Sequence, residues 1–259
     1  MKRKMLYCLL LIVIALTTGA FLPGSVPSFP GSIRALPGSV RPFPGPLAIE
    51  KISAEMTVRQ VQQGKSVTLK GSLYYQRNGD MVTHFVYPRE YMIVANRLGE
   101  TRLYDPTKNT VTQYQNLLFS TQSSQFYYFF SGKVSDMGLT RIGYVQDKTY
   151  NDGSLLVTEW KLKTPEKKAA IQRIRIVYDG QKPVYMHYEE AGGKVFRKVF
   201  YYNFQMLDAY FFPATTTEIL YDKGDSVVSK TNYTDFKLNE NATGAWFNYK
   251  IPPNAKIEH

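Results

Sequence analysis

Cysteine is almost absent from this sequence, since Cys8 is the only one among 259 residues. Cys8 lies in an apolar run near the start, so disulfides, thiol catalysis and cysteine-based metal sites are excluded beyond it. Histidine is also scarce, at three residues, and no HxH or HExxH spacing indicates zinc. The sequence contains no GxSxG, P-loop or GxGxxG motif either. We therefore predict no metal, no cofactor, no catalytic residues and no enzymatic activity.

Closely spaced pairs of carboxylates are rare as well. Glu189 and Glu190 are adjacent in a predicted strand, where successive side chains point to opposite faces. They cannot work as acid and base on one substrate, because glycosidase carboxylates flank the same bond. A secreted hydrolase with a dyad assembled from distant residues stays open as an alternative.

The first 20 residues have the three parts of a secretory signal. Residues 2–4 are Lys-Arg-Lys, Met5 to Leu16 form an apolar run, and small residues lead to Ala20. The apolar run holds 12 residues, fewer than the roughly 20 of a membrane-spanning helix. We expect cleavage after Ala20 and a periplasmic location. Without the three cations of residues 2–4, the 29 Lys+Arg and 21 Asp+Glu of residues 21–259 leave a formal charge of +8. This charge suits acidic partners or lipid head groups, or a basic surface that simply aids solubility, but we expect no nucleic acid as a partner of an exported protein.

Proline and glycine dominate the next segment, residues 21–48. A motif of the type Leu-Pro-Gly-Ser-Val returns every seven residues, beginning at Leu22. Proline lacks an amide donor and glycine is costly in a helix, so this repeat is not a coiled-coil heptad. We predict a disordered tether over residues 21–48.

Short runs rich in Val, Ile, Thr, Tyr and Phe begin at Ile49 and continue to the end of the chain. Turn signals such as Asn78-Gly79 and Asp179-Gly180 separate them and favour antiparallel hairpins. We predict about a dozen strands in one domain, residues 49–259, that forms a curved sheet or barrel. Residues 117–139 break this pattern and predict one or two short amphipathic helices, with a strand over Phe126 to Phe130 as the alternative.

Aromatic residues are in excess, with 20 Tyr and 15 Phe. Runs such as Phe126 to Phe130, Phe200-Tyr201-Tyr202 and Tyr210-Phe211-Phe212 place rings on both faces of a sheet. A curved sheet that encloses an apolar cavity would use this excess. The alternative is that tyrosine is simply a favourable strand residue that tolerates partial exposure.

Motifs between Ser53 and Gln115 resemble the LolA family of periplasmic outer-membrane lipoprotein carriers, and more broadly the LolA/LolB-like fold. The matching segments occur in the family's order. They are Ala54 to Gln60, Gly71 to Arg77, Phe85 to Pro88, Tyr91 to Gly99, Leu103 to Pro106 and Asn109 to Gln113. The C-terminal segment Phe247 to Ala255 is similar to the family's last strand.

The resemblance implies a single half-open antiparallel β-barrel that encloses an apolar cavity, with one or two short helices as a lid. It implies a monomeric carrier that binds the acyl chains of lipoproteins, or another lipid, and transfers them through the periplasm. An inner-membrane release complex and an outer-membrane acceptor would then be its partners. Arg77 falls on the family's rim arginine, which is thought to hold the helical lid.

Together, the resemblance and the aromatic excess assign a set of side chains to ligand binding in the apolar groove and lid. These residues are Tyr74, Arg77, Phe85, Ile93, Phe126, Phe129, Phe130, Tyr185, Phe200 and Tyr202. The alternative to a carrier is an envelope protein with the same fold that binds another lipid or a protein partner, as a sensor or regulator. In that protein the groove would hold a peptide or be filled by its own side chains.

Overall fold

The fold is described from a computed structural model, in which residues 49–115, 120–130, 134–164, 169–222 and 224–258 are described. The signal predicted over residues 1–20 and the tether predicted over residues 21–48 lie outside them. Both assignments, and the domain boundary at residue 49, stay predictions.

Fourteen strands in the described residues form one large open sheet. The strands are β1 (Lys51–Gln62), β2 (Lys65–Gln76), β3 (Met81–Tyr87), β4 (Tyr91–Ala95), β5 (Glu100–Asp105), β6 (Thr110–Gln115), β7 (Tyr144–Asp152), β8 (Leu155–Leu162), β9 (Arg173–Asp179), β10 (Lys182–Glu189), β11 (Val195–Leu207), β12 (Tyr210–Asp222), β13 (Asp225–Leu238) and β14 (Lys256–Glu258).

Two antiparallel meanders make up this sheet and meet at β1. The strand order is β14-β6-β5-β4-β3-β2-β1-β13-β12-β11-β10-β9-β8-β7. The pairing of β1 with β13 joins the two halves and sets Met56 opposite Tyr233. All pairs are antiparallel except β14 with β6, which is parallel. The prediction of a mainly β, half-open antiparallel barrel is confirmed.

Alternation along the strands gives the sheet an inner and an outer face. In β2, Leu69, Leu73 and Tyr75 are buried in the main hydrophobic core, whereas Lys70 is exposed and Tyr74 is only half-buried. The inner face, defined here as the one that carries Leu73 and Tyr75, continues across the sheet through Met56, Tyr233 and Phe212. The core therefore lies on one side of the sheet.

Within the described ranges, helical structure is brief and lies mainly between β6 and β7. One α-helix, α1 (Gln125–Phe130), follows a 3-10 turn at Thr121–Ser123, and a second 3-10 turn occurs at Thr140–Ile142. Two further 3-10 turns, Asn239–Asn241 and Ala245–Asn248, follow β13. Among the described residues, no helix has the length and apolarity needed to cross a membrane.

The C-terminal segment packs on the outer face. Trp246 stacks on His84 with ring centroids 3.9 Å apart, and Tyr249 packs against Met92 and Tyr104. The expectation of a strand over Phe247 to Ala255 was wrong, because Ala245–Asn248 form a 3-10 turn and the strand covers only Lys256–Glu258. Pro252 and Pro253 explain the difference, since neither has an amide hydrogen to donate to a ladder.

Gly71 is placed where the backbones of β2 and β3 approach closely. A Cβ atom at this position would lie 2.2 Å from the carbonyl oxygen of His84 and 2.8 Å from the Cα of Phe85. The register between the two strands also shifts between Lys70 and Gly71. A side chain at position 71 would therefore push the strands apart.

We expect Gly71→Ala to lower the free energy of unfolding by about 1–3 kcal/mol, the usual cost of overpacking. Urea unfolding monitored by circular dichroism would measure it. Ser72→Ala is the control: it removes a hydrogen bond to Glu55 at the surface and should change stability by less than about 0.5 kcal/mol. An unchanged unfolding midpoint for Gly71→Ala would contradict the close approach.

Three polar residues of β10 form a chain on the outer face. The hydroxyl of Tyr185 lies 3.0 Å from Nδ1 of His187, and Nε2 of His187 lies 2.9 Å from Oε1 of Glu189. Burial lowers the pKa of His187 below its ordinary 6.5, and the cations Arg175 and Lys198 lower it further, while Glu189 opposes the shift. The folded protein thus favours the neutral imidazole.

The unfolded chain therefore takes up a proton at His187 at a higher pH than the folded chain. We expect the free energy of unfolding to fall as pH drops from 7 through 6.5 towards the folded-state pKa. His187→Gln should make this dependence shallower, whereas Tyr185→Phe, which keeps the imidazole, should retain it. Urea unfolding between pH 7 and pH 5 tests this, and identical slopes for wild type and His187→Gln would refute it.

Candidate functional site

The inner face carries a cluster of aromatic rings supplied by α1 and by the sheet. Phe130 stacks on Phe212 with ring centroids 5.1 Å apart and planes 4° from parallel. Phe126 lies 5.0 Å from Phe212 and 5.4 Å from Tyr233, and Phe129 lies 5.7 Å from Phe212. Phe212 is thus the ring of the sheet on which the three phenylalanines of α1 converge.

Hydroxyl groups before and at the start of α1 hold it against two hairpin turns. Ser120 Oγ donates to the carbonyl of Arg97 at 2.7 Å, and Thr121 Oγ1 donates to the carbonyl of Gly79 at 2.5 Å. Ser124 Oγ accepts the amide hydrogen of Tyr127 and so caps the first turn. These contacts bring the hairpin ends of β2–β3 and β4–β5 together with the helix.

Tertiary packing must keep α1 helical. With six residues, it is far below the roughly 12–15 at which an isolated helix is even marginally stable. Phe126 is completely buried, and Phe129 and Phe130 are nearly so. Burial also raises the pKa of Tyr233 and Tyr75 on the sheet beneath. The side chains between α1 and the sheet are therefore mostly apolar and shielded from solvent.

Five of the ten residues assigned to the groove and lid lie in this inner core. Phe85 and Ile93 are buried on β3 and β4, and Phe126, Phe129 and Phe130 are buried on α1, together with Tyr128. Residues 116–119 and 131–133 on either side of α1 are outside the described residues. Whether these five side chains bind a ligand stays a prediction.

Four others lie on the outer face instead. Tyr74 packs edge-on against Phe247 at 5.3 Å, and Tyr185 lies beside Phe200, with ring centroids 5.0 Å apart. The hydroxyls of Tyr202 and Thr217 share a hydrogen bond of 2.8 Å on the same outer side. Their position follows from strand alternation, because adjacent residues of a strand point to opposite faces. Their sequence neighbours point to the inner face; these are Leu73, Met186, Val199 and Tyr201. The structure does not bring these four together with the groove.

Arg77 lies at the end of β2, close to the rim. Its guanidinium pairs with Glu50 at 2.7 Å, and both side chains are exposed. The hydrogen bond and charge of Glu50 raise the pKa of Arg77. The carbonyl of Gly79, which belongs to the same hairpin turn, accepts from Thr121 just before α1. In this structure the turn holds the helix segment through its backbone, and the Arg77 side chain bonds to Glu50.

Sequence reasoning missed the sheet residues that receive α1. Phe212, Tyr233 and Tyr75 were not assigned to the site, although all three are buried under the helix. The run Tyr210-Phe211-Phe212 contained a usable signal, since only alternate residues of a strand share a face. Phe212 is fully buried and Phe211 is exposed, but choosing between them requires the register with β11 and β13.

Metal ligands are not grouped at this site. In the described parts of the chain, no three His, Cys, Asp or Glu side chains are close enough to hold an ion. The inner face offers apolar surface instead, and its chemistry suits an apolar ligand rather than a charged one.

Comparison with known proteins gives structural likeness only. No family model matches the sequence, and no curated protein matches it. A LolA superfamily protein from Nitrosomonas europaea superposes with a TM-score of 0.52 at 12% identity, covering 76% of this chain and 88% of that one. A DUF1329 family protein from Desulfovibrio piger gives 0.54 at 14% identity, covering 78% and 90%.

A third similar structure is a candidate outer membrane lipoprotein-sorting protein domain from Vibrio parahaemolyticus. It has a TM-score of 0.53 at 15% identity and covers 76% of this chain and 89% of that one. Identities this low establish the architecture and leave the ligand open. The half-open sheet and these three likenesses agree with the sequence motifs: this chain has a LolA-like fold.

Proposed function

We propose that this protein is a periplasmic carrier that binds the acyl chains of lipoproteins on its inner face and transfers them from the inner to the outer membrane. One observation carries the proposal: part of the apolar filling of the inner face comes from a six-residue helix that is no part of the sheet. Moving α1 away breaks no strand pairing. It would expose Phe212, Tyr233 and Tyr75 as a ready apolar surface.

Acyl chains are suitable replacements for the aromatic side chains of α1. Each methylene group removed from water contributes about 0.8 kcal/mol, so a long chain can offset the lost packing of three phenylalanines. No metal or cofactor is required for such an exchange. The LolA-like fold and the predicted signal over residues 1–20 both fit a carrier that works between two membranes.

A second function is favoured by the same helix. Phe126, Phe129 and Phe130 already fill part of the inner face, as expected of an envelope protein that binds another lipid or a protein partner and carries no acyl chain. In that case α1 would stay in place as part of the core. The two functions differ in whether α1 is displaced, which can be measured.

Native mass spectrometry with lipid extraction is the direct test. The full chain is expressed with its own signal and recovered from the periplasm. We expect the purified protein to carry acylated species, because the inner face would exchange α1 for cargo in the envelope. A uniformly ligand-free mass, with no response to a fluorescent fatty acid, would exclude a carrier.

Weakening the packing of α1 against the sheet should strengthen ligand binding. Phe130→Ala removes a stacked pair worth about 1 kcal/mol, so opening becomes easier and the apparent affinity for a dansyl fatty acid should rise about fivefold. Phe200→Ala is the matched control, since Phe200 lies on the outer face beside Tyr185. The affinity of this variant for the dansyl fatty acid should equal that of the wild type. If Phe130→Ala leaves the affinity unchanged or lowers it, α1 is a fixed part of the core.

A further inference from the structure

A row of polar side chains crosses the inner face of the sheet. Gln60 on β1 lies opposite Ser229 on β13, and Ser229 lies opposite Glu218 on β12. Arg197 on β11 completes the row by pairing with Glu218 through two hydrogen bonds, of 2.9 and 3.1 Å. We call these four residues the polar belt.

The polar belt is buried almost as deeply as the aromatic cluster. Gln60 is 3% exposed, Ser229 6%, Arg197 7% and Glu218 8%. A buried ion pair is weak evidence for stability, because apolar residues of similar volume often stabilise a core as well or better. The belt is therefore an unusual feature for a sheet that has only to hold its own core.

One acceptor of the belt is unused. Gln60 Nε2 donates to Ser229 Oγ at 3.3 Å, but its Oε1 has no hydrogen-bond partner within the described part of the chain. A buried acceptor without a donor costs free energy, and most such groups in proteins are paired. An arriving N–H or O–H group would remove this cost.

The polar belt and the aromatic cluster lie on the same face of the sheet and follow one another along the same strands. Tyr233 and Ser229 are four residues apart on β13, which places them on the same face and roughly 13 Å apart along the strand. Met56 and Gln60 have the same separation on β1. A single amphipathic molecule lying along the strands can thus touch the rings with its chain and the belt with its head.

From this arrangement we propose that the polar belt binds the amide-bearing head of an acylated ligand, with the amide N–H donating to Oε1 of Gln60 while the acyl chain lies against Phe212 and Tyr233. The proposal rests on the acyl-chain binding proposed above and narrows it to N-acylated ligands. Fatty acid esters, which have no donor at the same place, would leave Oε1 unpaired.

Two ligands that differ in one group test this. The first is N-myristoylglycine methyl ester, and the second is its analogue with an ester oxygen in place of the amide N–H. Both compete with a bound dansyl fatty acid on the full chain. We expect the amide to bind about fivefold more tightly, as one buried hydrogen bond predicts, and we expect Gln60→Leu to abolish this preference.

Thr83→Val is the matched control. Thr83 is also fully buried with an unpartnered hydroxyl, but it lies between Leu73 and Ile93, away from the belt. This variant should keep the preference for the amide. Equal affinities of the amide and the ester for the wild-type protein would overturn the proposal, whether or not Gln60→Leu folds.

The experiment also separates this proposal from the carrier function. If the dansyl fatty acid binds but neither myristoyl compound competes, the belt does not recognise the head and acyl binding stands. If the dansyl fatty acid itself does not bind, both proposals are overturned.

Discussion

Pairing of β1 with β13 is the constraint on which the rest of the structure depends. Ten residue pairs from Ile52–Leu238 to Gln62–Val227 define this register, and it joins segments separated by most of the domain. Without it, each meander would be a separate sheet with an open edge at its centre. With it, Met56 lies opposite Tyr233 and Gln60 opposite Ser229, so both the aromatic cluster and the polar belt are assembled across the same junction.

Burial on the inner face has two sources that differ in strength. Phe212 and Tyr233 lie on strands of the sheet, where Phe212 is paired with Gln205 of β11 and Tyr233 with Met56 of β1. The phenylalanines of α1 are held by ring contacts and by a few hydroxyls before and at the helix start. Segments held by few contacts outside the sheet, such as α1, open more readily than core strands. This difference is the physical basis for proposing that a ligand displaces α1 while the sheet keeps its shape.

Much of the fold could be read from the sequence, because strand periodicity and turn residues are local signals. The turn predicted at Asn78-Gly79 separates the antiparallel strands β2 and β3, and the turn predicted at Asp179-Gly180 separates β9 and β10. β7 gives only a weak signal in the sequence, since Tyr144–Asp152 is mostly exposed and has little apolar alternation. The assignment of faces was harder: with aromatics at Phe200, Tyr201 and Tyr202 in succession, only the register shows that Tyr201 points inwards.

The edge of the sheet at β7 has a consequence for behaviour at high concentration. A long flat edge strand offers unpaired amides and carbonyls to other molecules and promotes aggregation. β7 is irregular instead: its register with β8 shifts between Gln146 and Lys148, and Lys148 and Asp152 are exposed charges. The bulge and these charges discourage the addition of a further strand, so this edge of the open sheet is protected without closure of the sheet into a ring.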